Sequence, residues 1–440
     1  MNKNVYIETL GCQMNKSDSE RIFGILSQCG YSKCDDSKDA DLLIVNTCNI
    51  RQLSADKAYS LLGKWCQRKK EHPDIKIAIC GCVAQQDKEQ VFKRLRGVDL
   101  VFGTHNIYEL PDLIKRVSDG EQVCAIRKEP YKANALDYPI ERAEGVNAWL
   151  PIIEGCDYFC TYCVVPYVRG RQRSRMPEEI LEEAKRIVAQ GYKEITLLGQ
   201  TVDSYGRDID DDSVNLSNLL RSLHSLDGLL RIRFVTSYPT DITDELIQTV
   251  KELDKVCEYF HIPMQSGNDE VLKNMRRRYT RAQYLEICNK IRTAMPDVSI
   301  TSDFIVGFPG ETQEQFEDTI SIIDEAGLDY SNTASYSPRR QTPAATWRDR
   351  FIDEKTKKER LAILNQKVKD YSLYSNQKCV GKVMDILVES SKIEDGKVVV
   401  SGRTRSNKVV HAQGDESMIG TIVNVKIEEA STWCLKGKIV

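Results

Sequence analysis

Short apolar runs alternate with helix-length amphipathic stretches from the first residues onward. "VYIETLG", "ADLLIVNTC", "IKIAICGC" and "VDLVFGT" are mostly apolar and bounded by Gly or Asn, the pattern of strands buried on both faces. Between and after them lie helical stretches: residues 16–29, "ADKAYSLLGKWCQRKK", "QDKEQVFKRL" and "IYELPDLIKRV". This alternation predicts a parallel sheet with helices on its faces. The segment "PYKANALDYPIERAEG" has no periodicity and carries two prolines, so it reads as a linker, set at 131–146.

A second alternating series follows. "AWLPIIEG", "EITLLGQ", "RIRFVTS", "EYFHIPMQS", "SITSDFIVGF" and "YSNTASYS" read as strands, with helices such as "PEEILEEAKRIVAQ", "DELIQTVKEL" and "TQEQFEDTISIIDEAG" among them. Six βα units fit a partial barrel, and a doubly wound sheet as well. After a charged helix near 353–376 the pattern changes. "VMDILVES", "KVVVSGRT", "KVVHAQG" and "TIVNVKIEEA" are short strands with Gly turns, which predict a small all-β barrel. The expected organisation is an α/β domain over 1–130, the linker, a second α/β domain over 147–375 and a β-barrel over 376–440.

Composition narrows the function classes. The 440 residues are 41% hydrophobic and 29% charged with a net charge of −3, which argues against a protein basic throughout but leaves room for local basic patches. No apolar run approaches a membrane span and the N-terminus has no apolar signal core, so a cytoplasmic protein without membrane association is expected, as a monomer. Fifteen cysteines in a reducing compartment point to metal sites before disulfides. Cys29, Cys66, Cys257, Cys288 and Cys379 are read as ordinary buried residues. Five scattered histidines form no Ser-His-Asp or H-E-x-x-H pattern, and no acid–base pair stands out.

Two cysteine groups carry the chemistry. Cys156, Cys160 and Cys163 have the spacing C-x3-C-x2-C in a loop just past the first strand of the second series. Zinc would need a fourth ligand, whereas a [4Fe–4S] cluster on three thiolates leaves one iron open to a substrate or cofactor. Cys12, Cys48 and Cys82 each end a predicted strand, in "ETLGC", "IVNTC" and "AICGC". In a parallel sheet those ends share one edge, so the three are expected to converge as a second three-thiolate cluster site. Cys80, inside its strand, is expected in the core.

C-x3-C-x2-C is the signature of radical S-adenosylmethionine (SAM) enzymes. With "LGCQMN", "NTCNIR", "GCVAQ", "GRTRSNKVVHAQG" and "IGTIVNVKI", the whole chain resembles the methylthiotransferase family of those enzymes, and within it the MiaB-type branch. The resemblance implies an N-terminal cluster domain, a partial (β/α)6 radical SAM barrel and a C-terminal TRAM barrel that binds RNA. It implies two [4Fe–4S] clusters, SAM, an electron donor such as flavodoxin or ferredoxin, and a sulfur source. By resemblance the cofactor would meet Tyr162, Gly199, Gln200, Ser237, Gln265, Asp303, Ile305 and Val306. The implied reaction uses one SAM as methyl donor and one as radical source to place a methylthio group on C2 of N6-isopentenyladenosine beside the anticodon of tRNA. Candidate RNA contacts are Arg339, Arg340, Arg403, Arg405 and Lys408, and the alternating Arg169, Arg171, Arg173 and Arg175. "RGRQRSR" and "TSYP" depart from the MiaB-type pattern. The alternatives are a methylthiotransferase for threonylcarbamoyladenosine in tRNA or for a ribosomal-protein aspartate, and a non-catalytic RNA-binding protein with structural metal sites.

Overall fold

A computed structural model describes residues 3–49, 52–129 and 135–440; residues 131–134 of the expected linker lie outside them. The chain divides into two units, one of residues 1–144, 154–157 and 163–173, the other of 145–153, 158–162 and 174–440.

The first unit is built on six parallel strands in the order Tyr31–Lys33, Lys3–Leu10, Leu42–Thr47, Lys76–Gly81, Leu100–Phe102 and Val123–Ala125. Period-two alternation sorts the side chains to the two faces. Val5, Leu42, Ile44, Ala78 and Phe102 pack with Ile22, Ile25 and Leu26 of helix Gln13–Gln28. Leu43, Val45, Ile77, Ile79 and Val101 pack with Ala58, Leu62 and Trp65 of helix Gln52–Glu71. Cys80 is in the first of these cores, as expected. The short strands Tyr31–Lys33 and Val123–Ala125 were not among the predicted ones; three residues leave too little pattern to read. The helix expected over 86–95 is two pieces, Cys82–Asp87 and Gln90–Arg94, because Lys88 between them has φ +52°. Residues 135–144 pack on this unit: the Glu141 N–H donates to Glu20 O (3.1 Å), and Tyr138 meets Tyr108.

In the second unit Asn147–Pro151, Glu194–Leu198 and Arg231–Phe234 form one parallel three-stranded sheet. Tyr259–His261, Ser299–Val306 and Tyr330–Ser335 form another. The Ser237 N–H donates to His261 O (2.8 Å), which joins the two as consecutive parts of one arc of six parallel strands. Helices such as Pro177–Ala189, Asp244–Glu252 and Gln313–Glu325 connect them, so the partial barrel holds and the doubly wound alternative falls. Helix Glu354–Gln377 leads to a closed barrel of five strands with Ile386, Val388, Val400, Val410, Val425 and Leu435 inside. Four of its strands were predicted. The fifth, Leu435–Ile439, pairs parallel to Val409–Gln413 and antiparallel to Ile422–Ala430.

Of the cysteines read as core, Cys257, Cys288 and Cys379 are buried and Cys66 is half-buried. Cys29 is exposed, which corrects that reading: it is the C-cap of helix Gln13–Gln28, at the surface end. No described helix is long and apolar enough to cross a membrane.

Candidate cofactor sites

Strand register brings the first cysteine group together. Leu10 pairs with Thr47 and Thr47 with Gly81, so Cys12, Cys48 and Cys82 leave three adjacent strands at the same edge. The chain runs from Lys3–Leu10 to one side of the sheet and then returns to the other, making this edge the switch point where open α/β sheets bind ligands. Cys12 is the N-cap of helix Gln13–Gln28 and Cys82 the first residue of helix Cys82–Asp87. Both thiols therefore lie at helix N-termini, which favour an anionic sulfur.

The protonation pattern follows. Cys12 is pulled down to about 6, chiefly by its hydrogen bond with Cys48, against burial and with help from Arg169 and the first-turn N–H groups of Asn15 and Met14. Cys82 is lowered for the same leading reason, with Arg169 assisting against burial. Cys48, which interacts with both of these sulfurs, is pushed up. Among the described residues no group of three or more His, Cys, Asp or Glu side chains is set to hold a single metal ion.

A buried amide network fixes the strand ends. Asn46 Nδ2 donates to Asn15 O (2.8 Å) and Ser19 Oγ (3.0 Å), while Asn15 Nδ2 donates to Asn46 Oδ1 (3.1 Å). Cys12 Sγ lies 3.4 Å from Asn15 Oδ1. Gly81, at φ +85°, passes so close to Asn46 that a Cβ would sit 2.6 Å from its Oδ1. Sequence reading missed Asn15 and Asn46, although both stand within three residues of a strand-end cysteine.

The second cysteine group lies in the loop through which the division between units passes. In the first unit, the Cys156 N–H donates to Gly170 O (3.2 Å), and Gly155 has φ +76° with Arg171 O where a Cβ would be. In the second, Cys160 is buried and its Sγ accepts from Arg277 Nη1 (3.4 Å). Arg277 also donates to Pro263 O (2.8 Å) and lies over the ring of Tyr238, which stacks on Tyr158. Phe159, at φ +49°, turns the chain into Cys160.

Of the expected SAM residues, Gly199, Gln200, Ser237 and Gln265 follow the C-terminal ends of barrel strands, Asp303, Ile305 and Val306 lie within Ser299–Val306, and Tyr162 is in the cysteine loop. Gln200 Oε1 and Ser237 Oγ are buried without a hydrogen-bond partner, and native interiors rarely leave such atoms unpaired. Gly199 admits no side chain: a Cβ would lie 2.2 Å from Ile153 Cγ2. Gln265 has φ +77°; its N–H donates to Asp303 O (2.8 Å) and its carbonyl accepts from Ile305 N–H (2.9 Å). The Asp303 carboxylate accepts from Asn332 Nδ2 (2.8 Å) and lies 3.2 Å from His261 Nε2. Tyr162 and Ile305 pack against one cluster with Val271, Met275, Phe308 and Tyr336. Val306 is buried in its strand, its carbonyl accepting from Tyr336 N–H (2.8 Å). Tyr336, whose buried hydroxyl is also unpartnered, gave no signal in the sequence.

The RNA candidates fare differently. Arg405 holds Glu258 through Nε (2.7 Å) and Nη2 (2.8 Å), and Lys408 Nζ donates to Asp329 Oδ1 (3.1 Å), Ser375 Oγ (3.0 Å) and Asn376 Oδ1 (3.0 Å). Both tie the C-terminal barrel to the rest of its own unit. Arg403 lies 3.1 Å from Glu389 with its side chain partly exposed, Arg339 is buried and Arg340 exposed. The alternating run 169–175 is not a free basic stripe. Arg169 is buried on Asp18 (2.5 Å), Arg171 meets Asp157 (2.9 Å), Arg173 meets Glu154 (2.9 Å) and Arg175 meets Glu183 (2.8 Å). Each is matched by an acid that the fold brings to it.

Residues 150–323 match the radical SAM superfamily, 4–103 the uncharacterized protein family UPF0004, and 377–440 the TRAM domain. The chain is 42% identical to tRNA-2-methylthio-N(6)-dimethylallyladenosine synthase of Thermoanaerobacter pseudethanolicus, covering 100% of this chain and 93% of that one. It is 44% identical to the synthase so named of Acetivibrio thermocellus (99% and 90% covered) and 43% to that of Clostridium perfringens (100% and 98%). Among solved structures, the radical SAM methyltransferase TsrM of Kitasatospora setae, with cobalamin and a [4Fe–4S] cluster bound, superposes with a TM-score of 0.58 at 14% identity. That match covers 90% of this chain and 82% of TsrM and speaks to the fold. A three-cysteine loop on a six-strand arc, a cysteine-edged parallel sheet and a closed C-terminal barrel, in one chain alike end to end to these synthases, place it in the radical SAM tRNA methylthiotransferase family, and it is an enzyme of that family.

Proposed function

We propose that this chain adds a methylthio group to C2 of N6-isopentenyladenosine next to the anticodon of tRNA, with two SAM molecules and two [4Fe–4S] clusters. One observation carries the two-cluster reading: the Leu10–Thr47–Gly81 register that sets three thiols on one sheet edge, apart in sequence from the C-x3-C-x2-C loop. The full-length likeness to the named synthases supports the substrate.

Three thiolates are the donor set that suits a [4Fe–4S] cluster with one open corner. Cys12, Cys48 and Cys82 would hold one cluster, since three converging sulfurs of which two are held towards the thiolate suit a cluster with one open corner. Cys156, Cys160 and Cys163 would hold the other, and the orphaned Gln200 Oε1 and Ser237 Oγ are acceptors waiting for polar hydrogens such as an amino or ribose hydroxyl group supplies. When bound, these groups would relay the electron that cleaves SAM, give the radical that takes hydrogen from an unreactive aromatic C–H, and carry the sulfur to be transferred.

The rest falls to the side chains. Arg277 donates to Cys160 Sγ and so fixes where that sulfur sits in the loop. Tyr162 and Ile305 offer apolar faces for an adenine, and Gln265 and Asp303 would fix its polar edge. Asn15 and Asn46 lock the strand ends so that the thiols are held in place before anything binds. In this reading 1–130 is the second-cluster domain, 131–146 its link, 147–375 the SAM barrel and 376–440 the RNA-binding barrel. Arg340, which precedes that barrel, and the partly exposed Arg403 within it remain the cationic candidates for RNA contact, while Arg405 and Lys408 position the barrel. A flavodoxin or ferredoxin would supply electrons, and a separate donor the sulfur.

The substrate is tested by reacting the anaerobically reconstituted enzyme with tRNA bearing isopentenyladenosine and, separately, threonylcarbamoyladenosine. Mass analysis of the nucleosides is expected to find the methylthio group on the first only. Its appearance on the second alone would overturn the substrate assignment and leave the reaction class standing.

A further inference from the structure

Arg169 is buried, yet nothing in the reaction requires a cation of the RNA-binding kind at that point. Its Nη2 lies 2.5 Å from Asp18 Oδ2, and neither side chain is more than 8% exposed. Asp18 belongs to helix Gln13–Gln28, whose N-cap is Cys12. Val168, the residue before Arg169, packs with Val164 against Cys82, and Thr104 Oγ1 pins it by donating to its carbonyl (2.9 Å). Arg169 is thus clamped from both sides next to two of the three sulfurs.

A buried guanidinium needs matched anions. Asp18 is one. Glu154 is another, but it also pairs with Arg173 at 2.9 Å. Cys82 and Cys12 are further groups whose charge acts on Arg169, and both become thiolates once they ligate a cluster. We propose that Arg169 is a positioning residue for the second cluster: its positive charge, aimed and partly offset by Asp18, balances the anionic sulfurs of Cys12 and Cys82 and raises the reduction potential of the cluster they hold. This rests on the reading that Cys12, Cys48 and Cys82 bind a cluster. Reduction adds one electron to that cluster, and a fixed cation in a poorly screened interior stabilises the added charge. Neutralising Asp18 unmasks the cation, so the two partners act with opposite sign. A residue that merely fills space has no such antisymmetry.

The test uses the full chain with Cys156, Cys160 and Cys163 all replaced by Ala, reconstituted anaerobically so that the second site carries the only cluster. Iron analysis establishes loading, and a redox titration followed by electron paramagnetic resonance gives the midpoint potential. R169Q is expected to weaken the preference for the reduced form at least tenfold, a downward shift of about 59 mV for one electron. R169K, which keeps the charge, recovers at least half of that shift, and D18N moves the midpoint upward. An unshifted R169Q, or a downward shift in D18N, overturns the proposal. Should R169Q fail to load, the sign of the D18N shift decides alone. A parent variant that binds no four-iron cluster overturns the cluster reading itself, whereas a loaded parent with unmoved variants overturns only the role of Arg169.

Discussion

Gly11 decides whether Cys12 and Cys48 can come together. A Cβ there would lie 2.7 Å from Cys48 Cβ and 2.5 Å from Asn15 Oδ1, closer than real side chains approach. G11A is therefore expected to cost the enzyme its second cluster while sparing the first. Its iron content should fall to about half of the wild-type value, with SAM cleavage retained. Full iron content in G11A would show that the edge can open to admit a methyl group. The cysteines themselves were legible because each ends an apolar run, a local cue. Asn15, Asn46 and Arg169 were not, because their partners lie 27 to 151 residues away and only the folded sheet brings them close. Arg169 looked like one tooth of a basic stripe; alternation along a chain cannot say which tooth is buried.

At the scale of elements, strand Arg231–Phe234 joins the C-terminal barrel to the six-strand arc. Arg233 is buried between Glu194 (2.9 Å) and the carbonyls of Thr404 (2.7 Å) and Arg405 (2.8 Å), and Arg231 meets Asp385 (2.8 Å). R233M leaves Glu194 buried without its cationic partner, so unfolding by urea should report a loss of about 3–5 kcal/mol, and R233M/E194L a smaller one. A double variant no more stable than R233M would contradict the pairing. These buried arginines in "RIRF" read as the polar half of an alternating strand, and that pattern holds equally for a face covered by another domain. The strand Leu435–Ile439 escaped notice for a related reason. Lys436 and Lys438 alternate with Leu435, Gly437 and Ile439 over too few residues to stand out, and barrel closure supplies the pairing that makes it a strand.

For the molecule as a whole, the account turns on two three-thiolate sites with separate duties: cleavage of SAM at the Cys156–Cys163 loop, and provision of the methylthio group at the Cys12, Cys48 and Cys82 edge. The order of strand and helix patterns made the architecture legible, because an aperiodic stretch parts two strand–helix series and the tail turns to strands alone. The pairing of one cysteine group with one duty is a matter of chemistry that no pattern encodes. The most direct measurement is the reaction of C12A, reconstituted anaerobically and supplied with reductant, SAM and isopentenyladenosine-containing tRNA. Formation of 5′-deoxyadenosine and of methylthiolated nucleoside is followed together. 5′-Deoxyadenosine is expected to form while the methylthiolated nucleoside is absent. Loss of both with the loop cluster intact, or methylthio transfer at the wild-type rate, would contradict it.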